Sequence, residues 1–344
     1  MLIVDGHLDL AYNALRGRDV LRPARQQTAD AEGLPSVGLP DLRAGGVGLV
    51  CATVFCAPDS SKERGYRTPE EAHATAMEQL SWYQQQVGDG QIRIAKNRGQ
   101  LPHGVNFSVL PDGPCGPDAR GRVDAIILLE GADPVRSPDD VPAFFEAGVR
   151  IVGLAWKRTR YAGGTGAPGP LTPEGVRLVR ELDRLGIIHD TSHLAEEAFF
   201  HLLDLAPERI IASHSNCRSI VPTDRQLSDE MIRAVAERGG VIGINLYDRF
   251  LIPPAEYGKR RATLDDVVRH ARHMCDVLGS PNHVGLGTDM DGGLGREQIP
   301  VEIETSADLP RVGDALCAAG FDDAAARGIL GLNWLRFFAA ALPE

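Results

Sequence analysis

Eight short apolar segments alternate with helical patterns along the chain, and this alternation is the strongest constraint on its fold. The segments lie at 2–4, 47–55, 123–130, 149–156, 186–192, 209–214, 240–247 and 283–289. Helical patterns lie at 69–86, 139–147, 173–185, 195–205, 228–238 and 263–278, and closing helices follow at 306–319, 323–329 and 332–341. Most segments are continuously apolar, which is typical of strands covered on both faces. The pattern predicts an α/β fold, a (β/α)8 TIM barrel.

One domain over residues 1–344 is the expectation, since no break in composition divides the chain and barrels often exceed the usual domain size. A doubly wound open sheet is the alternative. No glycine-rich phosphate-binding turn follows an early apolar segment to favour it. Polar residues 16–41 are expected to cross the top of the barrel, and residues 97–121 are expected to be loop.

Charge and cysteine usage limit the partners and the compartment. The net charge is −11 and no basic stretch interrupts it, which argues against nucleic-acid and membrane partners. The six cysteines are scattered without a CxxC pair, so we expect reduced thiols in a cytoplasmic protein. The amino terminus lacks the pattern of a signal peptide, and no apolar stretch is long enough to span a membrane.

Side chains able to bind a metal or a proton follow the predicted strands at their carboxyl ends. They are His7, Asp9, Glu130, His193, His214 and Asp289. In a barrel those ends meet at one mouth, where active sites are built, so six such groups are expected to meet there. Taken singly, each has a simpler interpretation as a strand end, a helix cap, a core histidine or a turn residue. His189 lies inside a strand and is expected to be a packed core histidine.

Three histidines with three carboxylates suit Zn²⁺, Mn²⁺ or Co²⁺. Two ions fit this set better than one, because six ligands are too many for one tetrahedral site that also holds water. Glu130 is the natural bridging carboxylate. A bridging water becomes hydroxide near neutral pH and can attack a carbonyl that the ions polarise. Asp289 is expected to stay off the metals and to act as general base and then general acid.

These motifs together resemble the membrane dipeptidase (renal dipeptidase) family, the M19 metallopeptidases, over nearly the whole chain. The matching segments are Asp5-Gly-His-Leu-Asp9, Glu130-Gly131, Asp190-Thr-Ser-His193, Ser213-His-Ser215 and Gly287-Thr-Asp-Met-Asp-Gly292. The resemblance implies a barrel of the metal-dependent hydrolase type. It also implies one zinc ion on His7, Asp9 and Glu130, and a second on Glu130, His193 and His214.

The resemblance further implies how a substrate is held. Asp289 corresponds to the acid that handles the proton and the substrate amine. Arg225, in Thr-Asp-Arg-Gln-Leu-Ser-Asp, matches an arginine that binds the carboxylate of a dipeptide, and a guanidinium does meet a carboxylate bidentately. Apart from the resemblance, a surface ion pair is an equal interpretation of Arg225. A homodimer is what the family suggests.

Two residues depart from the family pattern. Leu8 stands where asparagine is usual, and it points away from the metals in an extended strand. Trp156 stands where a histidine commonly contacts the substrate near the scissile carbonyl, and its bulk should narrow the pocket. Arg158, Arg160 and Tyr161, in the loop that follows, are candidates to replace that histidine.

The sequence therefore predicts a zinc-dependent dipeptidase that attacks a dipeptide amide with a metal-bridging hydroxide. A site that grips both ends of its substrate excludes long peptides. The first alternative is a related binuclear amidohydrolase acting on an N-acyl amino acid or a β-lactam, because Trp156 changes the pocket. The second is a non-catalytic barrel that binds metals and dipeptides. The retained Asp289 argues against it, since binding alone needs no proton shuttle.

Overall fold

The eight apolar segments form neighbouring parallel strands in a computed structural model, which describes residues 2–60, 65–102, 121–206 and 208–344. The strands are β1 Ile3–Leu8, β2 Val47–Phe55, β3 Ile92–Ile94, β4 Val123–Glu130, β5 Val149–Gly153, β6 Ala162–Gly164, β7 Ala167–Leu171, β8 Ile188–Asp190, β9 Ile210–Ile211, β10 Ile242–Ile244 and β11 Val284–Leu286. The order around the barrel is β10-β11-β1-β2-β4-β5-β8-β9, and a parallel bridge between Ala212 and Ile242 closes the circle. The predicted TIM barrel is confirmed.

Helices cover the outside of the barrel. They are α1 Leu10–Leu15, α2 Leu39–Ala44, α3 Pro69–Gly88, α4 Val141–Ala147, α5 Pro173–Arg184, α6 Glu196–Leu205, α7 Asp229–Glu237, α8 Asp248–Leu251, α9 Leu264–Leu278, α10 Pro310–Ala318, α11 Asp323–Arg327 and α12 Asn333–Ala341. The side chain of Thr68 caps α3 by accepting from the Glu71 amide, with Pro69 at the first helical position. The sequence analysis missed the short elements α1, α2, α8 and β3 and the antiparallel hairpin β6–β7, because a few residues carry too little periodicity.

Several barrel strands end earlier than the sequence predicts. Strand β8 ends at Asp190, whose Oδ1 accepts the backbone amides of Ser192 at 3.0 Å and Ser213 at 2.8 Å. Those two amides are therefore removed from the sheet, and the chain turns into the mouth instead. His193 and Asp289 complete such turns with left-handed φ angles of 65° and 57°. This conformation is uncommon outside glycine and clusters at functional sites.

Helix α12 closes the barrel at the amino ends of its strands. Trp334 and Phe338 are fully buried and pack with the inward-facing residues of the strands, among them Val4. The Trp334 indole donates to the carbonyl of Leu286 at 2.8 Å. A Cβ atom on Gly285 would lie only 2.3 Å from that indole, so the absence of a side chain there lets the ring enter. Within the part of the chain that the structure describes, α12 thus fills this end of the barrel, and the metal-competent side chains lie at the opposite mouth.

The structure also bears on the predicted absence of a membrane span and on the predicted reduced thiols. Among the described residues, no helix is both long enough and apolar enough to cross a membrane. Cys51, Cys56, Cys217, Cys275 and Cys317 form no disulfide. Cys115 and most of the loop predicted over 97–121 lie outside the described residues.

His270 on α9 anchors the segment that follows the barrel strand β9. Its Nδ1 accepts the amide of Cys217 at 3.1 Å, and its Nε2 lies 3.1 Å from the carbonyl of Leu251, to which it donates. Both contacts together require a neutral ring with the proton on Nε2. Burial accordingly lowers the pKa of His270 from 6.5 to about 4.

We therefore expect acid to destabilise the fold through His270. When the pH falls below the pKa of His270 in the unfolded chain, the unfolded state binds a proton at this residue. The folded state does not bind it until the pH falls to about 4. The contribution of His270 to the free energy of unfolding is thus fully present above its pKa in the unfolded chain. This contribution falls by about 3 kcal/mol as the pH drops from that pKa to the pKa of the folded state. His270→Gln cannot take up the proton. Urea unfolding with chelator present, at about pH 7.5 and about pH 5, should show a smaller loss in the variant. Equal losses would contradict this account.

Candidate metal centre

Glu130, the last residue of β4, lies at the centre of the mouth among three histidines. Its Oε2 is 3.4 Å from His7 Nε2, and its Oε1 is 3.2 Å from His193 Nε2 and 3.6 Å from His214 Nε2. The Nε2 atoms of His193 and His214 are only 3.0 Å apart. Two nitrogen lone pairs cannot face each other at this distance without a proton or a cation between them. The geometry therefore favours positive charge beside Glu130.

The predicted side chains fall into overlapping groups whose ligand atoms lie within 4.8 Å of one another. The groups are His7, Asp9 and Glu130; Glu130, His193 and His214; and His7, His214 and Asp289. The structure thus brings together all six residues selected from the sequence. The first two groups share Glu130, as expected for a bridging carboxylate. The third places Asp289 close enough to bind an ion, which the sequence analysis did not anticipate.

Neutral polar residues hold the two aspartates in place. Thr53 donates its hydroxyl to Asp9 Oδ1, and Asn245 donates to Asp289 Oδ2 at 2.8 Å. A Cβ atom on Gly292 would lie 2.0 Å from Asp289 Oδ1, so glycine is required there. The sequence analysis missed Thr53 and Asn245. Asn245 directly follows β10, which is the kind of position that identified the acids, whereas Thr53 lies inside β2.

The hairpin β6–β7 supports His193. Its turn places the Thr165 hydroxyl 3.0 Å from His193 Nδ1, and the amide of Gly166 donates to Asp224 at 2.8 Å. His193 is thereby oriented through the ring nitrogen that faces away from Glu130. Nothing in the local sequence around Thr165 indicates this contact, because the two residues are 28 positions apart.

The electric field of the site favours a cation. Burial raises the pKa of Asp9 to about 7 and that of Asp289 to about 6. Burial alone lowers the pKa of His7, but the carboxylates, Glu130 above all, outweigh it and raise the value to about 10. A field that holds a proton on a buried imidazole also attracts a metal ion. Imidazole and carboxylate donors without a thiolate fit zinc and its first-row neighbours, so the residues present fit a divalent metal.

Arg225 lies in the wall of the same mouth and is only 4% exposed. It donates to Ser215 Oγ at 3.1 Å and to the carbonyl of His214 at 2.6 Å. Its Nε has no partner among the described residues. Burial lowers the pKa of Arg225. The interpretation of this residue as half of a surface ion pair is therefore wrong.

A cavity of about 570 Å³ opens over the metal-binding groups. Trp156 forms part of its wall, with its ring edge-on to Phe55 at 5.3 Å and 6.3 Å from the His193 ring. The Lys157 ammonium lies 4.8 Å from the centre of the Trp156 ring. Tyr12, Tyr247 and Phe250 line the cavity as well. The mouth is thus charged at its floor and aromatic along its sides.

None of the three residues proposed to replace the family histidine lines this cavity. Arg158 donates to the carbonyl of Pro168, and Arg160 donates to carbonyls of the loop after β4. Tyr161 is buried and donates to the carbonyl of Val135. The expectation that they replace it is wrong, because all three side chains hydrogen-bond to backbone carbonyls of residues that do not line the cavity.

Comparison with known proteins decides the family. The sequence profile of the membrane dipeptidase family, peptidase family M19, matches residues 1–342. The chain belongs to this family. Membership places it among metallodipeptidases, which are hydrolases.

Curated relatives match the chain over part of their own length. An uncharacterized protein of Klebsiella pneumoniae, encoded in the pqqA 5′ region, is 35% identical over 57% of the chain and 74% of the relative. An uncharacterized dipeptidase of Schizosaccharomyces pombe is 31% identical over 63% of the chain and 53% of the relative. Dipeptidase verJ of Clonostachys rogersoniana is 29% identical over 63% of the chain and 55% of the relative. These matches span about half the length of the fungal relatives.

Solved structures match over the full length. The crystal structure of dipeptidase AC, an M19 metallopeptidase, superposes with a TM-score of 0.81 at 26% identity, covering 100% of this chain and 99% of that one. A metallopeptidase from Rhodobacter sphaeroides, liganded with a phosphinate mimic of L-Ala-D-Ala, superposes equally well at 25% identity, covering 99% of each chain.

Glu130 should be essential for binding metal, because it contacts all three histidines. We expect Glu130→Ala to lose most of the divalent metal that the wild-type protein retains after gel filtration, measured by elemental analysis. Glu32 lines the same cavity but belongs to none of the metal-binding groups, so Glu32→Ala is the matched control and should retain its metal. Full retention by Glu130→Ala would exclude the centre described above.

Proposed function

We propose that the chain is a zinc-dependent dipeptidase that hydrolyses the amide bond of dipeptides at a centre of two divalent ions. One observation carries the proposal. Glu130 is shared by two metal-binding groups in a cavity that also exposes Asp289 and Arg225, a carboxylate and a guanidinium for the two ends of a zwitterion.

The two groups that share Glu130 would hold the ions. His7, Asp9 and Glu130 would bind one, and Glu130, His193 and His214 the other. When bound, two such cations supply a nucleophilic water at neutral pH and polarise the scissile carbonyl. Nitrogen and carboxylate donors support zinc as the metal.

Arg225 would bind the carboxylate of the substrate. Its guanidinium is held by Ser215 and by the carbonyl of His214 and stacks 5.1 Å from the Phe250 ring, so its orientation is fixed before substrate enters. A preoriented fork forms two parallel bonds to a carboxylate, and burial strengthens them.

Asp289 would receive the amino group of the substrate and transfer the proton. Its carboxylate lies in one group with His7 and His214, so it would be within reach to accept a proton from the attacking water and to return it to the leaving amine. Asn245 occupies one carboxylate oxygen and fixes the direction of the other. Gripping both termini limits the substrate to a dipeptide.

Two similar proteins support this substrate class. The metallopeptidase from Rhodobacter sphaeroides is liganded with a phosphinate mimic of a dipeptide, and verJ is named as a dipeptidase.

Trp156 favours a second candidate, the hydrolysis of another small amide such as an N-acyl amino acid or a β-lactam. Its indole narrows one wall and cannot accept a hydrogen bond as a histidine could.

A substrate panel should distinguish the two candidates. We expect metal-loaded protein to hydrolyse free dipeptides and to leave their N-acetylated forms intact, because Asp289 needs an ammonium partner. Asp289→Asn should lower kcat by roughly a hundred-fold or more, since a proton carrier contributes about that much. Turnover of the acetylated forms alone would support the second candidate. A protein that binds two metals and cleaves neither would contradict both.

Arg225→Lys should raise KM for free dipeptides roughly ten-fold or more, because an ammonium cannot form the bidentate contact. Dipeptide amides lack the carboxylate, so their weaker turnover should change much less. Arg158→Lys is the matched control, since Arg158 contacts the carbonyl of Pro168 outside the cavity. Zinc content is measured for each variant, because Arg225 also holds the backbone of His214. Equal changes for free and amidated dipeptides would remove Arg225 from substrate binding.

A further inference from the structure

One buried hydroxyl contacts two of the histidines at the metal centre. Ser213 Oγ lies 2.7 Å from His214 Nδ1 and 3.3 Å from His7 Nδ1. The two imidazole rings are only 3.7 Å apart between centroids. Each ring turns its other nitrogen, Nε2, toward Glu130. Ser213 is therefore placed behind both rings, on the side opposite the carboxylate.

Asp190 determines which way the Ser213 hydroxyl points. Its Oδ2 lies 2.5 Å from Ser213 Oγ, while its Oδ1 accepts two backbone amides, those of Ser192 and Ser213. Burial raises the pKa of Asp190, and the three donors directed at this one carboxyl group oppose that effect by stabilising its ionised form, which can only accept. Asp190 and Ser213 are both at most 1% exposed, so no bulk solvent competes for these contacts.

The single hydrogen on Ser213 Oγ determines which of its contacts it donates to and which it accepts from. A serine hydroxyl has one hydrogen and two lone pairs, and here the hydrogen is given to Asp190. Both lone pairs remain to accept, and the His7 and His214 Nδ1 atoms are the imidazole nitrogens within reach. Ser192 Oγ is also near but farther away, at 3.4 Å. Each ring must accordingly carry a proton on Nδ1 to satisfy the contact.

We infer that Asp190 and Ser213 are positioning residues that set the tautomer of His7 and His214 together, leaving Nε2 of each ring free to bind a metal. The inference rests on the proposed function, since it concerns the same ions. His7 and His214 would bind different ions in that proposal, so the Ser213 hydroxyl sets the tautomer of one ligand for each ion. His193 has a separate partner, Thr165.

Zinc affinity, measured by competition with a chromophoric chelator, tests the inference without relying on activity. Ser213→Ala removes the shared acceptor and should weaken both binding steps by roughly ten- to a hundred-fold. Thr165→Val removes the partner of His193 alone and should weaken one step. Thr191→Val is the matched control, because Thr191 is also buried and its hydroxyl contacts the carbonyl of Ile211 rather than a histidine ring. It should bind both ions as the wild type does.

Asp190→Asn is the second variant and keeps the shape of the side chain. The amide oxygen stays with the two backbone amides, so the amide nitrogen faces Ser213 and donates to it. The serine hydrogen then turns to the nearest other acceptor, which is His214 Nδ1 at 2.7 Å rather than Ser192 Oγ at 3.4 Å, and the His214 ring is forced to carry its proton on Nε2. At least one zinc-binding step should weaken, with the chelator-treated protein still folded by circular dichroism.

The outcomes separate this inference from the proposed function. A wild-type protein that binds no zinc contradicts both. If the wild type binds two ions, the inference is overturned when either binding step is unchanged in Ser213→Ala or when both steps are unchanged in Asp190→Asn. The proposed function is not contradicted by these results. An equal loss in Thr191→Val also overturns the inference, because the effect would then come from the loss of any buried hydroxyl in these turns.

Discussion

Buried negative charge at the mouth of the barrel is the constraint on which the rest of the structure depends. Asp9, Glu130 and Asp289 are between 5% and 8% exposed, and an uncompensated carboxylate in such surroundings costs several kcal/mol. Arg225 supplies one fixed positive charge. Hydroxyl and amide donors stabilise the aspartates further, and the remaining negative charge is what a divalent cation would neutralise. The barrel supplies a rigid frame that keeps these groups together despite their repulsion.

The architecture and the acidic and imidazole groups can be predicted from the sequence for a geometric reason. Continuous apolar segments separated by amphipathic ones form parallel strands with helical crossovers, and such strands all point the same way. A polar residue directly after any of these segments must therefore lie at the same mouth. His7, Glu130 and His214 follow this rule although they are far apart in the chain. Family motifs add Arg225, which follows no strand directly.

Contacts behind the metal centre follow no such rule. Thr165 reaches His193, and Ser213 reaches His7, through turns whose direction depends on tertiary packing. Single hydroxyls carry no periodic signal, so the sequence analysis quoted the Ser-His-Ser segment for its histidine alone. The same limitation explains the error over Arg158 and Arg160, since a loop next to the mouth can direct its side chains away from it. Strand lengths were overestimated because Asp190 takes amides that would otherwise continue the sheet.

The pairing of the first strand with the last has a consequence for the order of folding. Asp5 on β1 is paired with Leu286 on β11, so the strands that lead to Asp9 and Asp289 are joined only after most of the chain has been synthesised. Contacts so distant in sequence give a high contact order and a large loop-closure entropy, both of which slow folding. His7 and Asp9 can meet Glu130 and Thr53 as β2 and β4 form, whereas Asp289 joins His7 only when β11 pairs with β1. The site is completed late, when the carboxyl-terminal strands and α12 join the barrel.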